Sequence, residues 1–463
     1  MNPLTSFIER IAIGQEPDPA DLPVLKFNSK QSLTRRNLTE SVLVIADVGT
    51  GKTTLLRTIS RAMLRDRFGG LVLCVKLSQI EEFRSACAAE GRENDLIILT
   101  PGRGHAFNPL AGETSSAEAA ALLVELAEVL AARTREGGDN DAFWRAQLGI
   151  IMRNLFALCR IAYGKYDLLI AAELFDGRAN SLAELADPSW QQRSPLAAAL
   201  NLARERAGDR EARLAVEYFT HAFPAHGDRL QGSLAATVCN VFDHLRRSPL
   251  RDLFTGESSF ALDDLFDHGK VCVVGLPALD SADGRIANAL MQFCFCRAAT
   301  RRSRQNYSFL LSDECQETVS RELMRKLAVL REFKVASVLL TQNIAVLDDK
   351  LGESAREGLC GLLGLKLFGP QGHAATREWA AEQIGKRKIP VETKSTGRTT
   401  GERSRGTSTG TSSHEQWDYR VPPSRFAQLQ LGETIGLRRG RVWHSRWHKD
   451  QPGKGGSVAI VDS

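Results

Sequence analysis

From Ser41 onward, short unbroken apolar runs alternate with longer stretches of helical periodicity. VLVIA (42–46), LVLCV (71–75) and LIIL (96–99) contain no polar alternation, the pattern of strands covered on both faces. The first two are followed by helix-compatible stretches over 51–66 and 79–90, which predicts βαβ units and a parallel sheet flanked by helices. Residues 113–250 break this rhythm. They contain almost no β-rich run, open with Ser115 and Glu118 at capping-box spacing, and continue through amphipathic helices such as 141–162, so an all-α insertion is expected there. The alternation then resumes. VCVVGL (271–276) precedes a helix over 282–302, SFLLSDE (308–314) one over 317–332, ASVLLTQ (336–342) a further helix, and LGLKLFG (363–369) one over 373–384. The first 40 residues carry no clear pattern.

The C-terminal part reads differently. KSTGRTTGERSRGTSTGTSS (394–413) is of low complexity and cannot bury enough apolar area to order itself alone, so a mobile loop or the tip of a long hairpin is expected. YRVPPSRFAQLQLGETIGLRRGRVWHSRW (419–447) alternates well enough for short closing strands. The chain has 463 residues and a formal net charge of +5, but the excess is local: residues 386–450 carry 14 basic and six acidic side chains, and the remainder sums to −3. A basic segment on a near-neutral body fits either contact with a polyanion or a merely soluble, flexible tail.

Composition narrows the class. Hydrophobic residues make up 43% and charged residues 25%, ordinary for a globular protein and unlike collagen, coiled coils or disordered chains. The nine cysteines are odd in number and lie mostly in apolar runs, with no C-x-x-C pair, so free thiols in a reducing compartment are expected rather than a disulfide framework or structural zinc. The chain shows no secretory signal, and no apolar stretch approaches the roughly 18–20 residues of a bilayer span. The expected location is the cytoplasm, free or peripheral at the inner face of the membrane, with no transmembrane segment of its own.

Residues 46–53, ADVGTGKT, match the phosphate-loop pattern, with Ala46 where Gly is more usual. A strand pattern precedes them and a helix pattern, TTLLRTISRAML, follows, which is the context that motif requires. Gly49 and Gly51 let the backbone curl so that successive N–H groups of Ala46, Asp47, Val48, Gly49, Thr50, Gly51, Lys52, Thr53 and Thr54 can face phosphate at a helix N-terminus. Lys52 would reach the β- and γ-phosphates and Thr53 would ligate Mg²⁺. FLLSDE (309–314) ends an apolar strand in two acids: Asp313 suits the metal opposite Thr53, and Glu314 suits orientation or deprotonation of an attacking water. Gln342, at the end of VLLTQ, fits either a γ-phosphate contact or a turn, and Arg331 either a surface charge or a catalytic one. No Asn-Lys-x-Asp segment supports guanine specificity, so ATP with Mg²⁺ is the expected ligand.

In that order, ADVGTGKTT, LCVK, FNPL (107–110), SDE, Arg331 and LLTQ resemble the HerA/FtsK superfamily of DNA-pumping ATPases, and most nearly the type IV secretion coupling proteins of the TraG/TraD kind. The resemblance spans residues 25–445, including RVPPSRFAQLQLGETIGL (420–437) as closing strands. It implies a RecA-like P-loop NTPase made of a core in two parts (1–112 and 251–390), an inserted helical domain (113–250) and a basic, β-rich extension (391–463). It also implies a ring, commonly a hexamer, with ATP hydrolysed at subunit interfaces to drive DNA, Arg331 acting in trans and Gln342 sensing the γ-phosphate. Expected partners are DNA bound without regard to sequence, further copies of the chain, and a secretion-machine, relaxase or nuclease component. Three departures stand out: Ala46, Cys74 where an acid often precedes the lysine seen here as Lys76, and the lack of the transmembrane helices with which coupling proteins usually begin. The alternatives are a HerA-like helicase working with a nuclease and a secretion ATPase that handles protein substrates.

Overall fold

Continuous apolar runs become strands here because both of their faces are covered. The computed structural model describes residues 18–26, 32–113, 115–131, 141–206, 208–301, 303–401 and 404–446. The expected basic extension is therefore described to Arg446, and its remainder, like residues 1–17, lies outside the described residues. The strands in chain order are β1 (Pro23–Lys26), β2 (Ser32–Thr34), β3 (Val42–Ile45), β4 (Gly69–Leu73), β5 (Leu96–Leu99), β6 (Val271–Val274) and β7 (Ser308–Ser312). They continue with β8 (Val335–Thr341), β9 (Leu365–Phe368), β10 (Lys386–Gly401), β11 (Ser404–Tyr419), β12 (Glu433–Arg438) and β13 (Arg441–Arg446). Every residue of β3, β4, β6, β7, β8 and β9 is buried. The architecture is α/β, with mostly parallel strands and flanking helices.

The described residues fall into two compact units, Met1–Ala62 with Leu339–Ser463, and Met63–Val338. In the first, the strands run in the order β13-β12-β9-β3. β3 and β9 are parallel, Val42 opposite Leu365, whereas β12 joins β9 and β13 antiparallel. Glu40, just before β3, accepts Arg438 Nε and Nη2 at 2.7 and 2.8 Å, a bidentate pair that ties the chain entry to β12. A Cβ placed on Gly369 would stand 2.7 Å from Ala46 Cβ, so this crossing admits only small residues. β10 and β11 form a separate antiparallel hairpin in unbroken register from Lys386↔Tyr419 to Gly401↔Ser404. At its root Lys386 Nζ lies 4.7 Å from the Tyr419 ring centroid and Lys388 Nζ 5.9 Å from that of Trp417, cross-strand contacts that hold a hairpin with little apolar surface.

In the second unit the strand order is β7-β4-β6-β5, all parallel. The helix Ala282–Thr300 is buried on most sides, with the Phe295 ring 4.8 Å from that of Phe266. Each such fully buried aromatic contributes roughly 1.5–3 kcal/mol. Arg92, almost wholly buried, donates to the carbonyls of Leu64, Phe68 and Gly269, and pairs with Asp95 at 2.9 Å. A buried guanidinium so fully bonded fixes the turn before β4, whereas removing a partner would leave a charge exposed to a low dielectric. Between Ser116 and Asp267 the described chain is helical without a strand. The first of these helices is capped as its sequence predicts, with Glu118 N–H donating to Ser115 Oγ at 3.2 Å. All nine cysteines are free, and all but Cys239 are buried. Among the described residues, no helix is long and apolar enough to cross a membrane.

Candidate functional site

The sequence turns sharply where β3 ends, and the reason is glycine. Gly49 and Gly51 have φ of +76° and +97°, a region that other L-residues enter only under strain. Thr50 closes the turn, its Oγ1 donating to Asp47 O at 2.7 Å, and Leu55 N–H bonds Gly51 O at 3.0 Å to start the helix Lys52–Arg65. The first-turn amides of that helix therefore point back into the loop, where the helix dipole favours an anion. Lys52 is buried, while Thr53 and Val48 are exposed.

Two neighbouring segments hold this loop. Asp47 N–H donates to Pro370 O at 3.1 Å, and its Oδ2 accepts Gly372 N–H at 2.5 Å. Gly432 N–H donates to Thr50 O at 3.2 Å. Gln342 belongs to the same unit and lies close by. Ala46 N–H donates to Thr341 O at 3.3 Å, which sets Gln342 at the strand end beside the start of the loop. Its own carbonyl accepts Gln371 Nε2 at 2.8 Å. Gln371 is itself buried, and its Oε1 accepts His373 N–H at 3.1 Å.

The acid pair is built in the other unit, at the end of β7. Register pairs Ser312 with Leu73, so the residues after β7 and after β4 leave the sheet side by side. Asp313 and Glu314 are buried, and Glu314 adopts φ +57°, ψ 56°, an unfavourable left-handed conformation for a side chain without a glycine's freedom. Its Oε1 lies 3.4 Å from Lys76 Nζ, and its Oε2 accepts Gln316 Nε2 at 3.1 Å. Lys76 is aimed by its own turn. The amides of Val75 and Lys76 both donate to Gln79 Oε1, at 2.6 and 3.0 Å. Cys74 Sγ donates to Lys76 O at 3.0 Å; burial pushes that thiol up to about 12, so it remains a neutral donor. The loop after Glu314 is secured from beneath, where Gln292 Nε2 donates to Thr318 O at 2.9 Å and its Oε1 accepts Ser320 Oγ at 3.0 Å.

The predicted residues therefore assemble into two groups: residues 46–54 with Gln342, and Asp313 with Glu314. Arg331 does not join the acid pair of its own unit. Ser308 N–H donates to Lys334 O at 3.0 Å, which sets Arg331 beside the beginning of β7 while the acids follow its end. A five-residue strand at about 3.3 Å per residue puts some 17 Å between the two edges. Sequence reasoning missed the Lys76–Glu314 pair. Lys76 stood out in LCVK, but only the β4–β7 register, which no single segment encodes, gives it a partner.

Known proteins share the fold that carries these loops. The family described as the TraM recognition site of TraD and TraG matches residues 308–430, a span that contains Asp313, Glu314, Arg331 and Gln342. No curated protein matches the chain by sequence. Among solved structures, the unbound bacterial conjugative coupling protein TrwBdeltaN70 is similar with a TM-score of 0.64 at 14% identity, covering 98% of this chain and 94% of the other. The plasmid coupling protein TrwB in complex with ADP and Mg²⁺ gives 0.63 at 15%, covering 98% and 95%. VirB4 of Thermoanaerobacter pseudethanolicus gives 0.51 at 13%, covering 93% and 97%. These likenesses show the fold, that of a RecA-like P-loop NTPase. The chain is thus similar in fold to the conjugative coupling protein TrwB along nearly its whole length, and in sequence, across residues 308–430, to the TraM recognition site of TraD and TraG.

Proposed function

We propose that this chain is an ATP-driven motor of the conjugative coupling type, which hydrolyses Mg-ATP at the interfaces of a ring to move DNA or a nucleoprotein. The observation that carries the reading is the loop 46–53, with two positive-φ glycines between a buried strand and a helix N-terminus. In this reading Lys52 and the loop amides bind the phosphates, and Thr53 and Asp313 hold Mg²⁺. Glu314 orients the attacking water and accepts its proton, its carboxylate positioned by Lys76 and Gln316. Gln342 reads the γ-phosphate. TrwB has been solved with ADP and Mg²⁺, which supports the choice of ligand.

Arg331, remote from its own chain's acid pair, serves the nucleotide of a neighbouring copy, where its charge offsets that of the departing phosphoryl group. The helical stretch 113–250 is proposed as a separate docking domain, and the basic extension as part of the DNA-facing surface. DNA would be held through phosphates, so binding weakens as salt rises. The test is the rate of ATP hydrolysis with and without DNA, on wild type and Lys52→Ala. The reading expects DNA-stimulated turnover that Lys52→Ala abolishes. Turnover indifferent to DNA would favour the protein-handling alternative.

A further inference from the structure

The turn at residues 430–433 is built more firmly than a connecting loop requires. Gln430 N–H donates to Glu433 Oε2 at 2.8 Å, and Glu433 N–H returns to Gln430 O at 2.9 Å. Gly432 sits at φ +80° and donates its N–H to Thr50 O, inside the phosphate loop. The approach is close: a Cβ on Gly51 would lie 3.3 Å from Gly432 N and 3.7 Å from Leu431 Cδ1. Yet Leu431, between the two anchored residues, is 66% exposed. A leucine held in water by three backbone constraints, against a loop whose amides bind phosphate, is an apolar surface continuous with a polar one.

We propose that Leu431 is a nucleoside contact: it packs against the purine and ribose of the nucleotide whose phosphates occupy residues 46–53. The occupant follows from continuity. A nucleoside triphosphate is a polyanion joined to a flat, largely apolar ring, and the loop and the turn present the matching halves side by side. An apolar contact has no donors or acceptors with which to read a base, so it favours nucleotide over inorganic triphosphate without choosing between adenine and guanine. The residue lies in the unit that holds the phosphate loop, so its effect reaches the ligand directly. The turn also leads into β12, so a nucleotide seated here would be felt at the root of that strand.

This inference rests on the nucleotide reading above, and calorimetry on the full-length chain separates the two. Mg-ATP and Mg-tripolyphosphate are titrated into wild type, Leu431→Ser, Leu431→Met and Lys52→Ala. The expected result is that Leu431→Ser loses about tenfold in affinity for Mg-ATP, a leucine's partial burial. Its affinity for tripolyphosphate stays unchanged, Leu431→Met restores most of the loss, and Lys52→Ala weakens both ligands. Unchanged Mg-ATP affinity in Leu431→Ser overturns the contact. So does an equal loss for both ligands, which would mean that the residue only shapes the loop. A wild type that binds both ligands equally tightly removes the nucleoside contact alone. A wild type that binds neither removes the phosphate site and this proposal together.

Discussion

The two loops that follow β3 and β7 solve the same geometric problem in opposite ways. Both must reverse direction at a strand end, and both enter the left-handed region to do so. After β3 the positions are Gly49 and Gly51, and the loop offers its backbone. After β7 the position is Glu314, and the loop offers a side chain. Where amides are the functional groups, a Cβ would only obstruct, and glycine relieves the strain. Where the proposed function calls for a carboxylate, glycine is excluded and the strain is retained, held by the Gln292–Thr318–Ser320 bonds beneath. A positive φ at a non-glycine residue is not by itself the mark of a site, since Ser41, Arg67, Lys334 and Arg439 share it. What sets Glu314 apart is that its side chain is buried and paired with Lys76.

Substitutions can break that comparison. The largest effect is expected for Glu314→Gln, which keeps size and one of the two acceptor oxygens but cannot accept a proton: steady-state ATP hydrolysis should fall about 10²–10³-fold while nucleotide still binds. Glu314→Gly sharpens the point, because activity is lost but the left-handed strain is relieved. The urea midpoint should then correspond to about 1 kcal/mol of added stability. Gly51→Ala should act in the reverse sense. Its φ of +97° and the Gly432 backbone 3.3 Å away make a methyl costly, by about 1–3 kcal/mol. Thermal unfolding and Mg-ATP titration should both register it. The smallest effect is expected for Lys76→Met. Lys76 is about half exposed, so its pair with Glu314 contributes at most about 1 kcal/mol to stability. Turnover should drop a few-fold by loosening the carboxylate.

Much of the fold was legible in the sequence because its strands are covered on both faces. VLVIA, LIIL and SFLLS read as unbroken apolar runs, and the structure places β3, β5 and β7 there. The exchange of strand and helix signals across 41–112 and 271–384 was equally plain. The opening β1–β2 pair was not legible, since strands of four and three residues are too short to establish a period. The helix expected over 317–332 begins only at Arg321, because residues 315–317 form a 3-10 turn and Ser320 caps the helix through Leu323 N–H. For the Thr- and Ser-rich segment 394–413 the sequence left a mobile loop and a hairpin tip both open, since the backbone register that carries β10 and β11 leaves no apolar trace. At the site, ADVGTGKT and SDE announced themselves by residue type. Lys76 beside Glu314, Gln371 beside Gln342, and Leu431 against the phosphate loop did not, because each depends on which strand ends the topology makes neighbours.

In the proposed function, loop 46–53 and the Asp313–Glu314 pair serve one Mg-nucleotide, the first in binding and the second in turnover. Equilibrium Mg-ATP binding and single-turnover hydrolysis, measured together on Glu314→Gln, test it most directly. The expected result is wild-type affinity with hydrolysis slowed at least about 100-fold. Hydrolysis at the wild-type rate with binding intact would contradict it.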